Sequence, residues 1–448
     1  MSVSEAPREP WNPHRSWVDP LISLLALLAL LATWFTLSAR KESFRRPSER
    51  VSLQGRLAEV VLMGPSLLPG QRTKAPDWIQ VGAHLREPWD CAMLAVLKAE
   101  RGDPGGEAKA WIDRAAPVGP GGPAFHRVCL AAYAHGPLPS PADRDAVRRR
   151  LGGGYAADLL EAHFLDREGK GDALRSQAQA ALMAKLVTLG ALGLLVLGTG
   201  MAGLIVGIHL IGIRRQAPAR PLPVWLLSGR AATLVLLGWF LAFFLVSSLV
   251  GLLHHPWPGA RWLAGPLAYV LHAAVGVALL CWAEGIGLAQ LWRRVAPDRM
   301  GRDLLWGLAF LALAVLLVLT VALVSGWVTQ PDQNPQRDLQ ELLRGLSGWG
   351  PNLVMFLTVA ALAPFFEELL FRGFLLPVLA RRQPFAVALI VSALLFGAIH
   401  LQPAGLPVLS TLGLVLGLAM RHTGSLRTPI LVHACWNGGL FLLIRAFA

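Results

Sequence analysis

Charge is what this chain has little of. Asp, Glu, Lys and Arg together make up only 15% of its 448 residues, while hydrophobic residues make up 54%. Such a ratio is too apolar for an ordinary soluble enzyme, so most of the chain must meet lipid. Acidic residues are scarcer than basic ones, 28 against 41, leaving a formal charge of +13. A nucleic-acid partner is still not expected. The basic residues fall in short clusters between apolar runs rather than along one amphipathic face, which is how cytoplasmic loops of membrane proteins read. Cysteine is also sparse. Cys91, Cys129, Cys281 and Cys435 form no C-x-x-C pair and no Cys/His spacing of a zinc knuckle, so neither a thiol redox motif nor a thiolate metal site is supported and the four read as packing residues.

What the chain has is long apolar runs. Segments of roughly 20 residues, enough to cross a hydrocarbon core, sit near Pro20 to Ala39, Leu186 to Ile213, Ala231 to Leu253, Leu267 to Leu288, Leu304 to Val328 and Leu353 to Leu379. Shorter or Gly/Pro-punctuated runs follow at Phe385 to Ile399, Leu406 to Met420 and Ile430 to Phe447. About nine spans result, and the last three have room for a re-entrant or broken helix where protein or a wet cavity covers the backbone. The fold class expected is therefore all-α, a polytopic helical membrane protein with an additional small helical domain outside the membrane.

Charge in the short loops sets the orientation. Arg214, Arg215, Arg220 and Arg230 follow the second span, Arg293, Arg294, Arg299 and Arg302 the fourth, Arg381 and Arg382 the sixth, and Arg421 and Arg427 the eighth. These alternate loops belong in the cytoplasm, while His254 to Trp262 and Thr329 to Gly350 carry fewer basic residues. The N-terminus is then cytoplasmic and residues 40–180 lie outside, in an integral membrane protein expected in a plasma membrane of bacterial type. Arg40, Lys41, Arg45, Arg46 and Arg50 argue locally for the opposite, but long domains translocate largely regardless of charge. The first run is read as an uncleaved anchor (residues 1–39 with its tail), since no small-residue cleavage site precedes Arg40.

Residues 40–180 change to charged, Ala-rich segments separated by breaks at Gly102 to Gly106, Gly119 to Pro123 and Gly152 to Gly154, the signature of short helical hairpins. Trp89 to Glu100, Glu107 to Ala116 and Phe125 to Tyr133 each carry apolar residues at three- and four-residue spacing. No period recurs cleanly, so a small helical domain is preferred to a repeat array. Its partner is unknown from sequence. In an extracytoplasmic setting Cys91 and Cys129 become candidates for a disulfide.

Residues 181–448 form the multi-span domain, and chemistry concentrates near its end. Ionisable groups inside spans cost about 2.5 to 3.5 kcal/mol each and usually line a cavity or pair with one another. The sixth span nevertheless reads Phe365-Phe366-Glu367-Glu368-Leu369-Leu370-Phe371-Arg372. Glu368 and Arg372, four apart, share a helix face and neutralise each other. Glu367 lies about 100° round the helix with no such partner, and an unneutralised acid in a low-dielectric cavity is a proton acceptor poised near neutral pH. The seventh span ends at His400, four residues after Phe396, and the ninth opens with His433 and Asn437 on one face. Counted at about 1.5 Å per residue, Glu367 lies roughly 21 Å from Arg381 and His400 roughly 27 Å from Arg382, but His433 only about 9 Å from Arg427. That last depth does not match the others. Any one of these groups also has a plain packing role open to it, and His209, His272 and Glu284, which lack such company, are read as structural.

At these residues the chain resembles the CPBP family of intramembrane proteases, which includes the type II CAAX prenyl endopeptidases and bacterial Abi or bacteriocin-immunity relatives. Glu367, Glu368 and Arg372 match its E-E-x-x-x-R, Phe396 and His400 its F-x-x-x-H, and His433 and Asn437 its H-x-x-x-N/D, over about residues 352–443. The resemblance implies an endopeptidase acting on a membrane-associated protein or peptide, in which Glu367 with His400 activates water while His433 and Asn437 orient or stabilise the oxyanion. Glu368, Arg372 and Phe396 would support them. No cofactor is expected; zinc is the alternative, although no H-E-x-x-H places ligands on one helix. Two other functions stay open: a non-catalytic membrane immunity or binding protein on the same fold, and a transporter with a carboxylate relay, for which no inverted repeat is evident.

Overall fold

A computed structural model describes residues 18–45, 50–68, 87–101, 121–133, 136–213, 220–254, 262–297, 300–328 and 345–447, with 85, 112–113, 115, 117 and 342–343. Arg46, Arg214, Arg215, Arg299, the Gly102 to Gly106 break, part of the Gly119 to Pro123 break, most of Glu107 to Ala116 and most of the two loops expected at His254 to Trp262 and Thr329 to Gly350 lie outside them. The described chain is helical, as its composition requires. Seven helices are long and apolar enough to cross a membrane, and two shorter apolar ones, Leu21–Trp34 and Phe385–Ala398, account for the remaining expected runs. The protein is thus a polytopic all-α membrane protein.

Two compact units emerge, one comprising Met1–Lys41, Leu197–Thr329 and Glu341–Leu442, the other Glu42–Val196, Gln330–Gln340 and Leu443–Ala448. Helix α1 (Val18–Arg45) opens the chain. In the second unit, α2 (Leu53–Met63), α3 (Pro88–Glu100), α4 (Gly122–Tyr133), α5 (Pro141–Leu151) and α6 (Tyr155–Leu165) follow. Their apolar stripes, with Trp89, Met93, Leu97, Phe125, Val128 and Leu160 buried, form a small helical core, in which Trp89 meets Phe125 edge to face at 5.8 Å. A buried Arg56–Glu59 pair at 3.1 Å ties α2 to α6, because Glu59 Oε1 also accepts the Ala156 N–H at 2.7 Å. Asp90 accepts from Ser52 N and Ser52 Oγ at 2.7 and 2.6 Å. Burial pushes its carboxyl up to about 6, although the two Ser52 bonds pull it down. The disulfide considered for Cys91 and Cys129 is absent. Both are free thiols; Cys129 is sealed in the helical core and the Cys91 Sγ turns to the Leu85 carbonyl.

Helix α7 (Gly171–Ile213) runs 43 residues, fifteen residues earlier than the apolar run alone predicted. Nothing between Asp172 and Leu186 breaks a helix, and Ala, Leu, Gln and Arg fill it. Then come α8 (Gly229–His254) and α9 (Ala264–Glu284). The latter stops four residues short of the expected Leu288 because Gly285 takes a left-handed conformation (φ 66°) that caps it. Short α10 (Leu288–Val295) and long α11 (Met300–Val328) precede α12 (Trp349–Ala380), α13 (Phe385–Ala398), α14 (Leu406–Thr423) and α15 (Arg427–Phe447).

Helix α12 sits at the centre of the membrane unit. Phe366, Leu369, Leu370, Phe371, Phe374 and Leu375 are buried among Trp225, Trp239, Leu280, Leu291, Phe396 and Leu426, while a second cluster joins α11, α14 and α15 through Phe310, Leu416 and Val432. Two prolines shape it. Pro364 and Pro377 lack the N–H that a helix carbonyl needs, and wider π turns occupy Thr358–Leu362 and Leu369–Leu375 just before them. In the i→i+5 register the Val359 carbonyl would look to residue 364, and in the α register the Gly373 carbonyl to residue 377; both find proline. Side chains from elsewhere complete the bonds: Asn437 Nδ2 donates to Val359 O at 3.1 Å and Trp225 Nε1 to Gly373 O at 2.7 Å.

Candidate active site

The carboxylates of α12 meet α15 directly. Arg372 Nη1 donates to Glu368 Oε1 at 2.8 Å, the intrahelical pair expected from their spacing. His433 Nδ1 lies 2.9 Å from the same oxygen, and its Nε2 lies 3.9 Å from Glu367 Oε2. One imidazole therefore bridges both acids. Glu368, Arg372 and His433 are all buried, and Glu367 keeps 13% of its side chain accessible. Arg372 Nη2 continues to the Gly413 carbonyl at 3.1 Å. That approach needs glycine: a Cβ there would stand 3.0 Å from the Ala393 Cα of the neighbouring helix.

Phe396 is the hub for the second motif. The Arg372 guanidinium lies 4.3 Å from its ring centroid, and the His400 and His433 rings meet it edge-on at 5.1 and 5.6 Å. His400, at the C-terminal end of α13, holds its Nδ1 2.8 Å from the Phe396 carbonyl. The next residue, Leu401, is buried and takes φ 54°, a left-handed conformation costly for a Leu side chain. Strain is thus stored one residue from His400, where α13 ends and the chain turns through Pro403–Gly405 into α14.

Glu367, Glu368, Arg372, Phe396 and His433 come together, and His400 joins them through the Phe396 ring. Asn437 sits one turn beyond His433, with one of its two amide N–H groups committed to Val359. Glu367, the acid expected to act with His400, has His433 beside it. At the start of α15, Ser425, Leu426 and Thr428 are buried and Arg427 reaches the Pro297 carbonyl and Asp303.

Sequence reasoning missed Tyr269. From α9 its hydroxyl donates to Glu367 Oε1 at 3.0 Å, leaving Glu367 Oε2 buried without a hydrogen-bond donor. The signal was a lone hydroxyl in an apolar run, three residues before His272 and hence on its face. His272 is buried against Trp239, Phe243, Tyr269 and Phe366, His209 stacks on Trp306, and Glu284 is held by two backbone N–H groups and Arg294. Among the described residues no group of three or more His, Cys, Asp or Glu side chains is placed to hold a metal ion.

The acid pair, His433, the Phe396–His400 pair and Asn437 thus lie on three helices, α12, α13 and α15, of a polytopic helical bundle. Residues 349–439, about a fifth of the chain, match the family of Rce1-like type II CAAX prenyl endopeptidases. This segment is accordingly a domain of the CAAX protease family, the CPBP group that the motifs resemble. No curated protein and no solved structure matches the chain.

Proposed function

We propose that the chain is an intramembrane endopeptidase that hydrolyses a peptide bond of a membrane-associated protein or peptide without a metal. One observation carries this reading most: a buried carboxylate oxygen, Glu367 Oε2, that accepts from no protein donor and faces an imidazole nitrogen at 3.9 Å. A water held there gives its proton to Glu367 as its oxygen attacks the scissile carbonyl carbon, and the same proton then passes to the leaving amine. Tyr269 fixes the orientation of Glu367, and Glu368 fixes that of His433. His400 and the second Asn437 N–H are the donors that meet the developing oxyanion once substrate is bound.

Orientation is part of the proposal. Asp19 at the start of α1 pairs with Arg230 at the start of α8 at 3.0 Å. This supports placing the N-terminus on the same side as the basic loop before α8, the cytoplasmic side by charge.

The test uses purified full-length protein and lipid-anchored or transmembrane peptides, with Glu367→Gln beside the wild type. Cleavage should be lost in the variant and should persist in the wild type with chelator. Equal cleavage by both would sink the glutamate assignment, and activity that vanishes with chelator and returns with zinc would replace it with a metal mechanism. If Glu367→Ala and His400→Ala leave a cellular phenotype intact in a folded protein, the binding or immunity reading takes over.

A further inference from the structure

Most arginines described in the membrane unit have a carboxylate or carbonyl to meet: Arg230 with Asp19, Arg294 with Glu284, Arg372 with Glu368, Arg427 with Asp303. Arg302, in the first turn of α11, does not. Its Nη2 is buried and reaches no acceptor. The adjacent acid, Asp303, is already engaged by Ser425 Oγ at 2.6 Å and Arg427 at 3.8 Å. Further cations gather instead. Arg220, Arg302 and His209 all lie close enough to His422 to act on its charge. One residue, Trp306, organises them: it is one turn after Arg302 on the same helix face, packs against His422 with ring centroids 4.0 Å apart and stacks with His209 at 6.4 Å. Arg220 is pinned alongside, because Arg421 Nη1 donates to its carbonyl at 2.7 Å.

Basic groups repel one another, and a buried guanidinium nitrogen without an acceptor is costly. Such a cluster is stable when an anion completes it. Its level in the fold says which kind. His209 is near the end of the α7 span, Arg302 at the start of the α11 span and His422 at the end of the α14 span, so three spans terminate together where lipid headgroups lie.

We infer that the membrane unit binds a phosphate group at the junction of the α7, α11 and α14 ends, held by Arg302 with His422 and His209. The site is separate from the carboxylates of α12 and stands whether or not the peptidase reading does. A phosphodiester headgroup and free phosphate share the chemistry. Arg302 supplies the planar fork that suits phosphate oxygens.

Full-length protein in mild detergent is titrated with phosphatidylglycerol and, in a separate arm, with inorganic phosphate, binding being read by native mass spectrometry. Wild type should retain the lipid. Arg302→Gln should weaken retention about fivefold, the effect of removing one cation near a charged lipid surface, and His422→Gln should weaken it less. Arg293→Gln, which removes the same charge from an exposed residue on α10, should leave retention unchanged. Inorganic phosphate that binds and displaces the lipid identifies free phosphate as a second occupant of the same site. Equal binding of both ligands by wild type, Arg302→Gln and His422→Gln, or an equal loss in Arg293→Gln, overturns the inference.

Discussion

Two carboxylate centres in the membrane unit are built from the same residue types and end in opposite states. At the junction of α9 and α10, Glu284 is saturated: Oε1 takes the N–H groups of Leu226 and Leu227 at 2.8 and 3.0 Å, and Oε2 takes Arg294 at 2.5 Å. The Arg294 guanidinium in turn covers the Trp225 ring at 5.1 Å. On α12, the pair Glu367–Glu368 has four carboxylate oxygens, of which Glu367 Oε2 and Glu368 Oε2 lack donors. A fully bonded buried acid is a strut, since nothing is left for a substrate to use. Acids that a fold keeps buried but incompletely bonded are candidates for chemistry.

The largest effect that would break this contrast is on turnover. Glu367→Gln keeps the shape and the Tyr269 contact while removing the base, and should lower kcat about 10³-fold, with the thermal midpoint held close to wild type; a variant that retained turnover would make the two centres equivalent. Glu284→Ala should do the reverse. Stripping Arg294 and two backbone donors of their partner should cost about 3 kcal/mol of stability, read by thermal unfolding in detergent, with kcat of the surviving folded fraction unaltered.

A smaller effect comes from the other unit, where Asp90 is buried yet doubly bonded to Ser52. Its folded-state carboxyl is raised to about 6 from 3.8, so the native state binds the extra proton between those values. Stability should be fullest near pH 4 and fall as pH rises through 6, by about 2 kcal/mol. Asp90→Asn should flatten that slope in a pH series of unfolding midpoints, and an unchanged slope would assign it to another group. Smallest is Tyr269→Phe. It removes one donor from Glu367 and keeps the ring, so kcat should drop about tenfold with KM unchanged. Trp239→Phe, a change in the same aromatic cluster away from Glu367, should leave kcat alone. If both variants lose turnover alike, Tyr269 acts only through packing.

Much of the site was legible because its residues obey helix spacing. Glu368 with Arg372, Phe396 with His400, and His433 with Asn437 each stand four apart, so each pair could be placed on a face before any coordinates existed. The apolar runs likewise marked nine helical segments, by composition alone. What spacing does not carry is contact between distant helices. Tyr269 is 98 residues from Glu367, and only packing brings them together. Nor does spacing show that Arg427, a loop charge by sequence, is tied to the Pro297 carbonyl and to Asp303. The helical core of the second unit was visible in Trp89 to Glu100 and Phe125 to Tyr133, but its buried ions, Arg56 with Glu59, had no pattern to announce them.

The prolines of α12 have an effect on how the protein is made. Pro364 and Pro377 lie on either side of the acid pair, and the Val359 carbonyl is completed by Asn437 of α15, 78 residues further along the chain. His433, the bridge between the two acids, belongs to that same helix. A nascent chain that has already inserted α12 consequently holds its acids without the groups that set their geometry. The geometry around the two acids is therefore completed only once α15 has packed beside α12.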